Sequence, residues 1–96
     1  MKILVFAGTT EGRRIAEYLN DTVADSYVSV ATEYGGRLLE EYQHLHLLTG
    51  RMDEDDITAF LSEKEIDLVI DATHPFAVLV TGNIKRACER TEVRYL

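Results

Sequence analysis

The sequence predicts an α/β domain built on a doubly wound parallel sheet, and three observations carry that expectation. Residues 2–7 (KILVFA) and 67–70 (DLVI) are short, nearly all-apolar runs, the pattern of strands buried on both faces. Stretches with apolar residues at helical spacing alternate with such runs. The crossovers are about a dozen residues or longer, which suits parallel strands joined right-handedly. With 96 residues, the chain holds one domain of about five strands, with helices on both faces, and not two domains.

The elements follow in order. Residues 2–7 form the first strand and end at Gly8. After residues 8–12, Ile15, Ala16 and Leu19 give one apolar side to a short helix, with Arg13, Arg14, Glu17 and Asn20 elsewhere on the wheel. Residues 27–32 (YVSVAT) alternate and are β-branched, so they read as a second strand closed by the turn signal Tyr34-Gly35-Gly36. Residues 37–42 could add a helical turn. Residues 43–48 (QHLHLL) alternate polar and apolar, as a third strand near an edge does. Asp53-Glu54-Asp55-Asp56 then precedes Ile57, Phe60 and Leu61, placing acid where a helix start favours it, so the run reads as a cap. Residues 67–70 form the fourth strand, and Pro75 is placed to open a helix whose stripe is Ala77, Val80, Ile84, Ala87 and Cys88. Residues 93–96 (VRYL) make a fifth strand. With no helix after it to cover it, this strand marks a fragment or a domain boundary, and it could pair with another copy, which leaves a homodimer open.

Composition narrows the function classes. Ten Lys and Arg against seventeen Asp and Glu give a net charge of −7, a field that repels phosphate backbones and anionic lipid headgroups. Neither nucleic acid nor a membrane surface is an expected partner. No stretch approaches the length of a membrane span, and the first apolar run is too short for a signal peptide. The lone Cys88 cannot close an intrachain disulfide, which fits a reducing, cytoplasmic setting. At register with the apolar stripe, it reads as a packing residue rather than a nucleophile.

In a sheet of order 3-2-1-4-5, the first and fourth strands are neighbours whose chains leave in opposite directions, and ligands bind in the crevice at their carboxyl ends. Residues 8–12 would then lie beside residues 72–75. The segment Gly8-Thr9-Thr10-Glu11-Gly12 joins a buried strand to a helix, where free N–H groups and the dipole can hold a phosphate. It lacks the full G-x-G-x-x-G pattern, and Arg13-Arg14 stands where a P-loop has Lys-Ser/Thr, so a plain β-α turn is the competing reading. Glu33 lies 21 residues past Gly12, near the spacing at which a Rossmann acid meets a ribose hydroxyl. Arg37 could instead receive a 2′-phosphate, and Glu33 could be a solvated loop residue. His74, at the end of the fourth strand, is the best general-acid candidate, against a turn role beside a proline. Asp71 or Thr73 could cap the next helix. His44 and His46 point the same way on a strand, but no third ligand is near, and exposed strand positions explain them better.

Gly8-Thr9-Thr10-Glu11-Gly12 after residues 3–7, residues 30–35 (VATEYG), residues 50–53 (GRMD) and residues 66–77 (IDLVIDATHPFA) together resemble, in order and spacing, the precorrin-6A reductase family of cobalamin biosynthesis. The resemblance runs from residue 2 to residue 96. It implies that residues 1–96 are the amino-terminal Rossmann-like, nucleotide-binding domain of a longer two-domain reductase, whose carboxy-terminal domain is the missing partner and whose active site lies between the two. It also implies reduction of a carbon–carbon double bond in precorrin-6A, or its cobalt-containing form, by hydride from NADPH or NADH. On that resemblance Gly8, Thr9, Thr10, Glu11 and Gly12 line the cofactor phosphates, while Glu33 and Arg37 remain cofactor candidates by spacing alone. Thr73, His74 and Pro75 form the opposite lip, and Arg13, Tyr34, Arg51 and Phe76 face the tetrapyrrole. The arginines would offset the overall negative charge against the substrate's carboxylates. Two other readings compete: a non-catalytic NAD(P)-binding regulatory module, and a reductase of the dihydrodipicolinate reductase kind, whose glycine fingerprint is absent here.

Overall fold

The structure, a computed structural model, describes residues 2–7, 14–15, 18, 25–30, 45–73 and 77–96. Strand β1 (Lys2–Ala7) forms on the apolar run that predicts it. Ile3, Leu4, Val5 and Phe6 are all buried, although successive side chains of a strand face opposite ways. Both faces of β1 must therefore be covered. On one face Leu4 and Phe6 pack with Val69, Ile57, Leu61 and Ile84. On the other, Ile3 and Val5 pack with Val28 and Val30, and Ile15 lies against them. Arg14, Ile15 and Tyr18 are helical, as the spacing after the first strand predicts.

Around β1 stand β2 (Asp25–Val30), β3 (Leu45–Thr49), β4 (Leu68–Ala72) and β5 (Arg94–Tyr95). The sheet order is β3-β2-β1-β4-β5 and every pair is parallel, as predicted. β3 lies at an edge, where the alternation of residues 43–48 places it. β2 starts two residues before the alternating run, and residues 31–32 of that run lie outside the described residues. Its start follows from pairing with β1, which sets Lys2 against Asp25 and Phe6 against Ser29. After β3 the chain turns at Gly50, whose φ of +105 is open to glycine and strained for other residues. The Gly50 N–H donates to the Val30 carbonyl at 3.0 Å, tying this turn to the end of β2.

Helix α1 (Glu54–Glu63) begins on the predicted acidic cap. The Asp53 carboxylate accepts from the Asp56 N–H at 2.8 Å and Asp56 accepts from the Asp53 N–H at 3.1 Å, a reciprocal capping box. Such a cap contributes about 1 kcal/mol. Helix α2 (Val78–Thr91) buries Ile84, Ala87 and Cys88 of the predicted stripe. It begins at Val78 rather than at Pro75, and Ala77, at its N-cap, makes no side-chain cap bond. Neither Asp71 nor Thr73 caps this helix; their side chains bond to each other instead, at 2.6 Å. Both helices cover the same sheet face. On their outer sides, Glu54 accepts from Arg86 Nε at 2.6 Å and Arg90 Nη1 at 3.1 Å, and Arg90 also reaches Asp55 at 2.8 Å. Among the described residues, no helix is long and apolar enough to cross a membrane.

Candidate functional site

Because the strands are parallel, their carboxyl ends share one edge of the sheet. At that edge the ends of β1, β2 and β4, the β3–α1 turn and the start of α2 enclose a crevice of about 690 Å³. That volume lies within the roughly 300–1,000 Å³ usual for small-molecule sites. The crevice opens where β1 and β4 sit side by side while the chain from β1 crosses toward β2 and that from β4 toward β5. A doubly wound sheet places its ligand at such a point, since the diverging connections leave a gap between them.

The lining divides by chemistry. Phe6 and Ala7 of β1, Met52, and Val78 and Leu79 of α2 supply apolar surface. Val78 and Leu79 are largely exposed, at 76% and 77%, which is unusual for two adjacent large apolar residues. Polar groups enter from Ser29, Thr73 and Asn83, and charge from Arg51, Asp53 and Asp56. The two aspartates stand on the β3 side, where the capping box already occupies them. Arg51 stands on the same side, so the charged groups of the described lining gather there and the β1 and α2 side presents none.

At the end of β4, Asp71 is the centre of a hydrogen-bond cluster. Its Oδ1 accepts from the Thr73 N–H at 3.1 Å and the Thr73 hydroxyl at 2.6 Å. Its Oδ2 accepts from the Thr81 hydroxyl at 3.0 Å and the Tyr95 hydroxyl at 2.7 Å. Partial burial pushes the Asp71 carboxyl up, but bonds from Thr73, Tyr95 and Thr81 outweigh it and hold the group below its ordinary 3.8. The Tyr95 phenol moves the other way, to about 12, through burial, its bond to Asp71 and the nearby carboxylate charge.

Stability should respond at both ends of the pH scale. Asp71 binds its proton more weakly when folded, so its contribution is present above about pH 4 and is lost as pH falls through the depressed value. Tyr95 holds its proton more tightly when folded, so its contribution is complete below about pH 10 and is lost as pH rises toward 12. In melting curves taken from pH 2 to 12.5, Tyr95→Phe is expected to flatten the alkaline fall and to shift the acid fall to higher pH. Unchanged curves in the variant would show that this hydrogen bond carries no stability.

Of the residues that the sequence singles out, Thr73 and Arg51 are described, and both line the crevice, from opposite sides. Gly8, Thr9, Thr10, Glu11, Gly12, Arg13, Glu33, Tyr34, Arg37, His74, Pro75 and Phe76 lie outside the described residues. Their described neighbours are informative: Ala7 precedes Gly8, Thr73 precedes His74, and both line the crevice. Sequence reasoning does not find Ser29, Met52, Val78, Leu79 or Asn83, nor the linkage of Asp71 to Thr81 and Tyr95. Only the Asp71-x-Thr73 spacing signals that cluster locally. His46 is exposed and stacks on Tyr27 with ring centroids 4.8 Å apart, a strand-surface role; His44 lies outside the described residues. Cys88 is buried, and desolvation pushes its thiol up to about 11, so it is a packing residue as the stripe predicts.

A family model described as Precorrin-6x reductase CbiJ/CobK matches residues 2–96. The chain belongs to the precorrin-6x reductase family. Among curated relatives, it is 34% identical to cobalt-precorrin-6A reductase of Methanothermobacter thermautotrophicus over 100% of this chain and 32% of that protein. To cobalt-precorrin-6A reductase of Salmonella typhimurium it is 34% identical over 95% of this chain and 34% of that protein. A solved structure, CobK precorrin-6A reductase, superposes with a TM-score of 0.85 at 32% identity, covering 99% of this chain and 37% of that one. The family resemblance and the doubly wound fold are thus both borne out. The chain spans about a third of the length of the curated relatives it matches.

Proposed function

We propose that this chain is the amino-terminal, nucleotide-binding domain of a longer two-domain reductase of cobalamin biosynthesis. Its reaction is transfer of hydride from NADPH or NADH to a carbon–carbon double bond of precorrin-6A or cobalt-precorrin-6A. The observation that carries this reading is the crevice between the ends of β1 and β4, in a chain of the precorrin-6x reductase family. Apolar walls with a few polar groups suit a dinucleotide's flat rings, and the β1 end leads directly into the glycine-bearing residues 8–12.

When bound, the nicotinamide supplies the hydride, and the chain's own groups bind and orient. Gly8, Thr9, Thr10, Glu11 and Gly12 hold the phosphates, and Glu33 or Arg37 reads the ribose end. Thr73 and Pro75 border the reacting end from the β4 side. His74 donates the proton that completes the reduction. Arg51, exposed on the crevice and without an ion pair among the described residues, faces the substrate's carboxylates together with Arg13, and Tyr34 and Phe76 contact the macrocycle. The buried free thiol of Cys88 supports a reducing, cytoplasmic setting.

Calorimetric titration of the full-length protein with NADPH and with NADH, followed by turnover of precorrin-6A and cobalt-precorrin-6A, tests the proposal. One nucleotide should bind at micromolar concentration and support reduction; binding of neither would overturn it. His74→Ala is expected to lower kcat by about 10²-fold. A rate near that of the unaltered protein would reduce His74 to a turn residue.

A further inference from the structure

Asp71 accepts four hydrogen bonds, two on each oxygen, from Thr73, Thr81 and Tyr95. A carboxylate offers about four lone-pair sites. With these filled, Asp71 has none to offer a substrate proton, and a role as acid or base does not suit it. Its partners suggest another role. Thr73 lines the crevice at the end of β4, Thr81 lies one turn into α2, and their hydroxyls approach each other to 3.3 Å. The chain between them carries Ala77, Val78, Leu79 and Val80, all of which line the crevice. Both ends of that segment are thus held by one side chain. The third partner, Tyr95, belongs to β5, whose pairing continues through the Asp71 N–H donated to the Leu96 carbonyl at 3.0 Å. Terminal strand and crevice lip therefore share a single anchor.

We propose that Asp71 is the positioning residue of the crevice's β4 lip, holding Thr73 and the first turn of α2 in fixed relation and tying both to β5 through Tyr95. Its catalytic consequence rests on the reductase reading above. A reacting centre displaced by about 1 Å costs on the order of 10²-fold in rate. Loss of the anchor should therefore appear in kcat, whereas the nucleotide's affinity, set largely by its phosphates, should change little.

The test uses the full-length protein and two readouts. In Asp71→Ala, amide hydrogen exchange at Thr73 and Thr81 should accelerate at least tenfold while that at Ile57 in α1 stays unchanged. In the same variant kcat should fall about 10²-fold with KM for the nucleotide within threefold. Thr81→Val is a milder form that keeps the side chain's shape and leaves the crevice lining untouched. It should lower kcat about tenfold, and Thr81→Ser should restore it. Should Asp71→Ala not fold, the Thr81 pair decides. Unaltered exchange and kcat in these variants would overturn the proposal. If the unaltered protein reduces no precorrin, the reductase reading fails by itself, and the exchange rates alone uphold or overturn the anchor.

Discussion

Gly12→Asp is expected to raise the Kd for the nicotinamide nucleotide that the protein prefers about a thousandfold. Residues 8–12 follow directly from β1, whose last residues Phe6 and Ala7 line the crevice, and precede the helical Arg14 and Ile15. A phosphate held there is a full negative charge, and the substitution sets a carboxylate beside it. Two like charges at about 4 Å, with an effective dielectric near 20, repel by about 4 kcal/mol. That energy corresponds to about three powers of ten in Kd. Titration calorimetry reads it directly, and Gly12→Ala, which adds bulk without charge, separates repulsion from crowding. Unchanged affinity in Gly12→Asp would remove the loop from the site and leave the crevice without its phosphate anchor.

Where the sequence is explicit, the determining forces are local. Residues 2–7 declare a strand buried on both faces because almost every side chain is apolar, and Ile3 to Phe6 are indeed buried. The Asp53 cap is legible because acceptor and donor lie three residues apart. The start of β2 is not, because it is set by pairing with β1, not by the strand's own alternation. The same division holds at the site. Thr73 is found by its place after β4, since parallel strands bring their carboxyl ends together, and Arg51 through the family resemblance. Val78 and Leu79 escape notice because the stripe of α2 says which residues face the core and not what its first turn borders. Tyr95 escapes because its bond to Asp71 spans 24 residues of chain.

The net charge of −7 also reads differently once the carboxylates are placed. Glu54 and Asp55 are matched to Arg86 and Arg90 across the helices, and Asp53 and Asp56 satisfy the start of α1. Asp71 is surrounded by donors. Much of the negative charge near the crevice thus serves the fold, and an anionic ligand meets less repulsion than the total implies.

Fold and site meet at Leu4, and Leu4→Ala is expected to lower stability by about 2–5 kcal/mol. Leu4 is fully buried on β1, opposite Val69 of β4 and Tyr27 of β2, in the cluster that includes Ile57 and Leu61 of α1 and Ile84 of α2. Truncation removes the transfer energy of the lost methyl groups and leaves a cavity that three elements would have to move to close. Set against a total of about 5–15 kcal/mol, that is a large share. Urea unfolding would show it as a lower midpoint at constant slope; a loss under about 1 kcal/mol would mean that the cluster repacks. Because β1 ends in the crevice, ligand and fold are linked. A nucleotide that binds the folded state alone adds about 2.7 kcal/mol at a concentration one hundred times its Kd. Saturating NADPH or NADH, whichever binds, should therefore recover much of the stability that Leu4→Ala loses, and no recovery with either would mean that the nucleotide does not bind this sheet.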